Sequence, residues 1–263
     1  DSLIWADDTS VTVKIPAVLP HPSENPITVT TPYGSDTYQY TILQPAPVIY
    51  SFDPVGGVED DEVTIKGDYF GGVSEVRFDN TPAQIVSSTK SEIKVKVPAG
   101  VQSAYIYVTT ASGMVKSGLI FGYAYMVFDE AAAATWYNSS FGGTFVLNNA
   151  TPVRSGSNSV KCTWNGWGAF RISKNAPTLS TAGYTGIKFS IYVGQNSIGK
   201  KVKVSASGNE TAGYTLTINE ADKWLDFQIP FSNLGNPATL TNIIIKEFSG
   251  LAREVYLDDI GLY

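Results

Sequence analysis

The strongest constraint on this chain is a period of two. Short runs such as Val11-Thr12-Val13-Lys14-Ile15, Glu62-Val63-Thr64-Ile65-Lys66 and Glu92-Ile93-Lys94-Val95-Lys96-Val97 alternate apolar and polar residues and are rich in β-branched side chains. Successive side chains of a strand point to opposite faces, so each such run buries one face and wets the other. Gly, Pro, Asn and Asp separate the runs and mark turns. The only helix-like composition is Glu130-Ala131-Ala132-Ala133-Ala134, too short for more than one turn. Many short strands at even spacing fold as sandwiches or barrels, so an all-β protein is expected. Its 263 residues, 43% hydrophobic and 16% charged, suffice for about two packed domains rather than disorder.

No apolar run approaches the roughly 18–20 residues of a membrane helix, so the visible chain is expected to be soluble. The opening Asp1-Ser2-Leu3-Ile4-Trp5 has neither the basic start nor the apolar stretch of an export signal, so the chain is expected to begin downstream of one. Charge is unevenly spread. Residues 1–124 hold 7 Lys/Arg against 14 Asp/Glu, and residues 125–263 hold 11 against 10. Neither part has the basic excess that a phosphate backbone demands, which argues against nucleic acid as a partner. Tryptophan is skewed the other way: Trp5 lies in the first part, whereas Trp136, Trp164, Trp167 and Trp224 lie in the second.

The chain repeats itself. Ser10-Val11-Thr12-Val13-Lys14-Ile15-Pro16 matches Glu92-Ile93-Lys94-Val95-Lys96-Val97-Pro98, and Ile27-Thr28-Val29-Thr30-Thr31 matches Ile106-Tyr107-Val108-Thr109-Thr110. The offset of about 80 residues suits tandem Ig-like sandwiches. The first copy carries only the second half of the pattern. Residues 1–44 are therefore expected to be the C-terminal part of a truncated domain belonging to a longer parent protein. A proline-stiffened join, Gln44-Pro45-Ala46-Pro47, leads into a domain over 45–124, and a third begins near Tyr125 and runs to Tyr263.

The second of these segments resembles an IPT/TIG domain, an Ig-like fold. The resemblance rests on Pro47, on Pro54-Val55-Gly56-Gly57, on Val63-Thr64-Ile65-Lys66-Gly67-Asp68-Tyr69-Phe70 and on Val76-Arg77-Phe78. Such domains serve as spacers, in receptors and in transcription factors, and the fold alone assigns no function. This copy lacks the basic loops of a DNA reader, which favours a spacer. The last segment resembles a carbohydrate-binding-module sandwich, jelly-roll-like, through Trp224-Leu225-Asp226-Phe227-Gln228-Ile229-Pro230 and the closing Tyr256-Leu257-Asp258-Asp259-Ile260-Gly261. Together the segments resemble the surface glycan-binding proteins of Bacteroidetes polysaccharide-utilisation systems. That resemblance implies a monomeric lipoprotein anchored in the outer membrane at the cell surface, holding a polysaccharide beside a glycan transporter. The alternatives are an adhesin gripping a protein partner and the non-catalytic end of a larger glycoside hydrolase.

Catalytic constellations are scarce. His21, the only histidine, lies in the proline-flanked Leu19-Pro20-His21-Pro22 and reads as a solvated turn residue. One histidine and one cysteine cannot build Ser/His/Asp, Cys/His or zinc sites. Cys162 alternates with Val160 and Trp164 and reads as a buried small hydrophobe, and a single cysteine excludes an internal disulfide. Acidic pairs such as Asp129-Glu130 and Asp258-Asp259, with Glu247, are the raw material of a glycosidase, but a domain of this size leaves little room for its deep cleft. The chain is expected not to be an enzyme.

Sugar binding needs a flat ring against the C–H face of a pyranose and donors for its hydroxyls. In Trp167-Gly168-Ala169-Phe170-Arg171-Ile172, Phe170 and Ile172 are the core residues, so Trp167 and Arg171 face solvent. By the same count Trp164 points inward, unless an Asn165-Gly166 turn reverses it and adds it to the site. Trp136 and Tyr137 adjoin a Gly-rich stretch where at least one must be exposed, as a platform at the rim of the site or as a lid over the sandwich. Tyr192 is a weaker outward candidate, and Trp224 reads as a packing residue. Modules that look like this one often hold a structural calcium, and the resemblance puts Asp129 and Asp259, with Glu130, at the matching positions. Two carboxylates alone fall short of the six to eight oxygens calcium takes, so a surface acid is the favoured reading.

Overall fold

The structure is a computed structural model and describes residues 2–6, 9–14, 26–39 and 45–263. The chain divides into two compact units, 1–121 and 122–263. It is an all-β protein: among the described residues there is no α-helix, only the 3-10 turns Gln195–Ser197 and Phe231–Leu234. The Glu130–Ala134 run forms no helical turn. Ala132 bridges Phe128 instead, because one turn fixes more backbone than its single hydrogen bond repays.

The first unit opens with two hairpins, Ser2–Ala6 with Val11–Lys14 and Pro26–Thr31 with Gly34–Gln39, of which strands Val11–Lys14 and Pro26–Thr31 fall on the repeated sequence. His21 lies outside the described residues. Beyond them stand two four-stranded sheets. One runs Val48–Asp53, Glu62–Asp68, Glu92–Lys96, Ile85–Ser88, and the other Gly113–Gly122, Ser103–Thr110, Glu75–Phe78, Thr81–Pro82. Alternation places Val63, Ile65, Ile93, Val95, Ile106 and Val108 in a shared core. The Gly67…Phe70 pair has a steric reason. A Cβ on Gly67 would lie 1.9 Å from the Val48 carbonyl oxygen and 2.3 Å from the Phe70 ring, so the buried Phe70 occupies the space a side chain would need.

The second unit is built on one long strand, Ser159–Lys174. Its first half, Val160–Trp164, pairs with Arg253–Leu262, and its second half, Ala169–Ser173, pairs with Asn242–Glu247. One continuous ladder thus folds over at 165–168 into two layers. The Asn165-Gly166 pair makes no reversing turn, since the strand runs through it. The first layer carries Arg253–Leu262, Gly186–Val193 and Trp224–Pro230, and the second Asn242–Glu247, Lys201–Ala206 and Tyr214–Thr217. Between them lie Val160, Cys162, Trp164, Phe170, Ile172, Phe189, Ile191, Ile243, Ile245 and Leu257.

Candidate functional site

Trp167 sits where the long strand folds over, with a φ of 71°. That left-handed conformation disfavours a bulky residue by about 1–2 kcal/mol and persists only where the surroundings impose it. Glu247 imposes it. Its fully buried carboxylate accepts backbone N–H groups from Trp167 at 3.2 Å, Ser249 at 2.8 Å, Gly250 at 2.7 Å and Leu251 at 3.1 Å. The Arg253 guanidinium stands 3.4 Å away and donates to the Lys201 carbonyl at 2.7 Å. Burial lowers the Arg253 pKa, and the Glu247 charge opposes that shift. So fixed, the Trp167 indole stays 53% exposed. Phe248 meets it edge-on at 5.5 Å, and a Cβ on Gly250 would lie 3.3 Å from three of its atoms.

The register carries a surface outward from this ring. Tyr137 lies opposite Ser173, Phe141 opposite Ala169, Ala169 and Arg171 opposite Lys246 and Ile244, and Lys246 opposite Lys203. Directly opposed residues share a face, so these side chains form the solvent side of the second layer, with Phe170, Ile172, Ile243 and Ile245 on its core side. Tyr137 and Phe141 are exposed. Arg171 donates through Nε to the Ser139 carbonyl at 3.0 Å, with its guanidinium 5.5 Å from the Phe141 ring centre. Lys246 pairs with Glu210 at 2.6 Å, and Lys203 lies 4.9 Å over Phe248. The floor between these groups is small or apolar and closely packed (Ala169, Ser173, Ile244). The result is a sheet surface of exposed and half-buried rings with cationic side chains between them.

Tyr137 and Arg171 therefore share the solvent side of this layer, with Trp167 six residues along the strand from Ser173, the partner of Tyr137, while two expected members lie elsewhere. Trp136 is buried, 5% exposed, and donates through Nε1 to the Tyr125 hydroxyl at 3.0 Å. It is no platform, because in a strand its neighbour Tyr137 takes the outward side. Trp164 is wholly buried, under the Arg253 guanidinium at 5.5 Å, and cannot reach a ligand. Phe141 and Phe248 complete the surface but were not singled out from sequence. Phe248 was legible, since it continues the outward count from Lys246. Phe141 was not, because strand Phe141–Asn149 does not alternate cleanly.

A second constellation lies in the first layer. Carboxylate oxygens of Asp129, Asp258 and Asp259 all fall within 4.8 Å of one another. Adjacent residues of a regular strand point apart, but here the ladder slips register and Asp259 has a φ of 50°, which brings both acids to one place. Asp258 accepts the Arg154 N–H at 2.8 Å, and Asp259 accepts the Ser155 hydroxyl through Oδ1 at 2.7 Å. Oδ2 of the buried Asp259 has no hydrogen-bond partner. Burial raises all three pKa values, that of Asp258 to about 7. Glu130, the optional further ligand, is not a member. Its carboxylate instead takes the Ser157 N–H at 2.6 Å and the Asn158 side chain at 3.0 Å, ordering that loop.

The fold is two β-sandwich units in sequence, and comparison with known proteins agrees with that fold. Residues 47–123 match the IPT/TIG domain. Among solved structures, the chain is similar to SGBP-B from a complex xyloglucan utilization locus in Bacteroides uniformis, at 17% identity and a TM-score of 0.52, over 91% of this chain and 79% of that one. It is similar to the surface glycan-binding protein PbSGBP-B from Prevotella bryantii, at 15% identity and a TM-score of 0.51, over 96% and 84%. A structure with xylogluco-oligosaccharide matches at 21% identity and a TM-score of 0.50, over 96% of this chain and 65% of that one. These likenesses establish the fold. No curated protein matches the sequence.

Proposed function

We propose that this chain binds polysaccharide without transforming it, and that the second unit holds the glycan on the Trp167 face while the IPT/TIG domain acts as a spacer. The domain scheme is a truncated IPT/TIG remnant over 1–44, a complete domain over 45–124 and the glycan-binding sandwich over 125–263. One observation carries the reading: an indole left 53% exposed, on a backbone that a fully buried carboxylate holds in an unfavourable conformation. Preorganising an exposed ring serves a ligand that stacks, and Arg171 and the nearby hydroxyls supply hydrogen bonds for sugar hydroxyls. The neighbouring structures' names, which include xyloglucan and surface glycan binding, support a glycan of the xyloglucan kind and a cell-surface setting. A lipid anchor in the outer membrane, a glycan transporter beside it and a monomeric state complete the proposal.

The test is affinity electrophoresis and calorimetry of the chain against a polysaccharide panel led by xyloglucan. A Kd between roughly micromolar and millimolar is expected, about 4–8 kcal/mol. Trp167→Ala should weaken it at least tenfold, as loss of a central aromatic contact does. A flat response across the panel with the fold intact refutes the proposal.

The acidic cluster supports a structural calcium, held by Asp129, Asp258 and Asp259. The unpartnered Asp259 Oδ2 inside the cluster fits a hard cation, which prefers carboxylate oxygens. Calcium there would neutralise three crowded acids and tie residue 129 to the last strand.

A further inference from the structure

The first layer carries an aromatic surface that the Trp167 face does not use. Register sets Trp224 opposite Tyr192, Tyr192 opposite Tyr256, Tyr256 opposite Lys161, and Lys161 opposite Val146. One row of side chains thus crosses five neighbouring strands. It lies on the solvent side, because Val160, Cys162, Ile191, Val255 and Leu257 fill the other side of the same strands. The Trp224 and Tyr192 rings meet at 5.8 Å, and those of Tyr192 and Tyr256 at 6.1 Å, both edge-on. All three rings are half-buried, and Val146 is exposed. Beside Tyr256 in the row, Lys161 Nζ stands 2.8 Å from Glu254 and 5.8 Å from the centre of the Tyr256 ring, and the Tyr256 hydroxyl bonds to Glu254.

The core does not require this row, since the apolar side of these strands packs without it. Opposed pairs on a sheet surface each add only a little stability. Two features describe a ligand instead. The row is electrically balanced, because Lys161 and Glu254 neutralise one another, so it suits an uncharged molecule rather than a phosphate or a uronic acid. Neighbouring rings stand 5.8 and 6.1 Å apart, one to a strand, comparable with the length of one hexose in an extended chain. A flat, uncharged glycan laid across the strands would therefore meet a ring or a polar group at each successive sugar.

We infer that the Trp224–Tyr192–Tyr256 row, with Lys161 and Glu254, is a second glycan contact that takes an extended, uncharged polysaccharide. It rests on the reading that this unit binds carbohydrate, but uses a separate surface on the other layer. Two surfaces on one domain make a long polymer bind more tightly than either does alone, whereas a short oligosaccharide gains nothing from the second.

The test uses the full chain, with xyloglucan and xylogluco-oligosaccharide as probes in electrophoresis and calorimetry. Tyr192→Ala should weaken polymer binding at least tenfold, both in the parent and in the Trp167→Ala background, with the melting transition retained. Tyr192→Phe should restore binding. Where Tyr192→Ala melts, Tyr192→Leu removes the ring and keeps most of the buried area. The inference is overturned if the folded Tyr192, Trp224 and Tyr256 variants all bind polymer like their parents; if Trp167→Ala alone abolishes binding in that case, the proposed function still stands. Failure of the unaltered chain to bind any neutral polysaccharide removes both readings.

Discussion

Glu247→Gln is the most informative single change in this molecule. The substitution preserves shape but replaces one carboxylate oxygen with an NH2 group. Oε2 accepts three backbone N–H groups, from Trp167, Gly250 and Leu251, and Oε1 accepts that of Ser249 and faces Arg253. The glutamine will therefore turn its carbonyl to the three and its NH2 to Ser249 and Arg253. That sets donor against donor and leaves a buried guanidinium without its counter-charge. Removing one partner of a buried ion pair destabilises by about 3–5 kcal/mol. For a unit of this size that is a fall in Tm of roughly 10–20 °C. Adding Arg253→Met should recover part of the stability, because the uncompensated charge goes with it. It should not recover sugar affinity, because the loop that braces Trp167 stays loose. Differential scanning calorimetry reads the first effect and titration with xyloglucan the second. A single variant melting within about 2 °C of the parent would show that Glu247 does not hold this loop, and the account of Trp167 as a preorganised ring would go with it.

Three further outcomes follow from the same geometry. Gly67→Ala drives a methyl group into the Val48 carbonyl and the Phe70 ring, so it should destabilise the first unit by about 3 kcal/mol or more while leaving the second unit's transition in place, as read by calorimetry. Trp164→Ala should cost about 3–5 kcal/mol in denaturant unfolding, yet leave sugar affinity of the folded protein unchanged; Trp164→Phe should cost less, because the buried indole Nε1 has no partner to lose. Calcium in excess should stabilise the second unit by about 2.7 kcal/mol at a hundredfold excess over Kd and so raise its Tm; chelator should reverse the rise and Asp259→Asn abolish it, and a Tm indifferent to both would mean that the cluster holds no ion.

Much of this protein can be read from alternation alone. The period of two settles the all-β class, and it puts Phe170 and Ile172 inside with Trp167 and Arg171 outside. The count that turns Trp164 inward also holds, since Asn165-Gly166 bends the strand without reversing it. Alternation is a local property, imposed by the backbone on every extended residue, so one sequence suffices to reveal it. What it cannot supply is which strands are neighbours. Trp136 and Tyr137 look equivalent in sequence, and only pairing with Ser173 and Lys174 sends one ring inward and the other out. Tyr192, Trp224 and Tyr256 are more than thirty residues apart from one another along the chain, and the ladder alone sets them side by side. The same holds for Asp129 beside Asp258 and Asp259, and for Glu247, an ordinary acid in sequence that becomes the buried anchor of Trp167. Which side of a strand a residue takes is fixed by its neighbours in sequence; what it meets there is fixed by hydrogen-bond register between distant segments, and that exists only once the chain has folded.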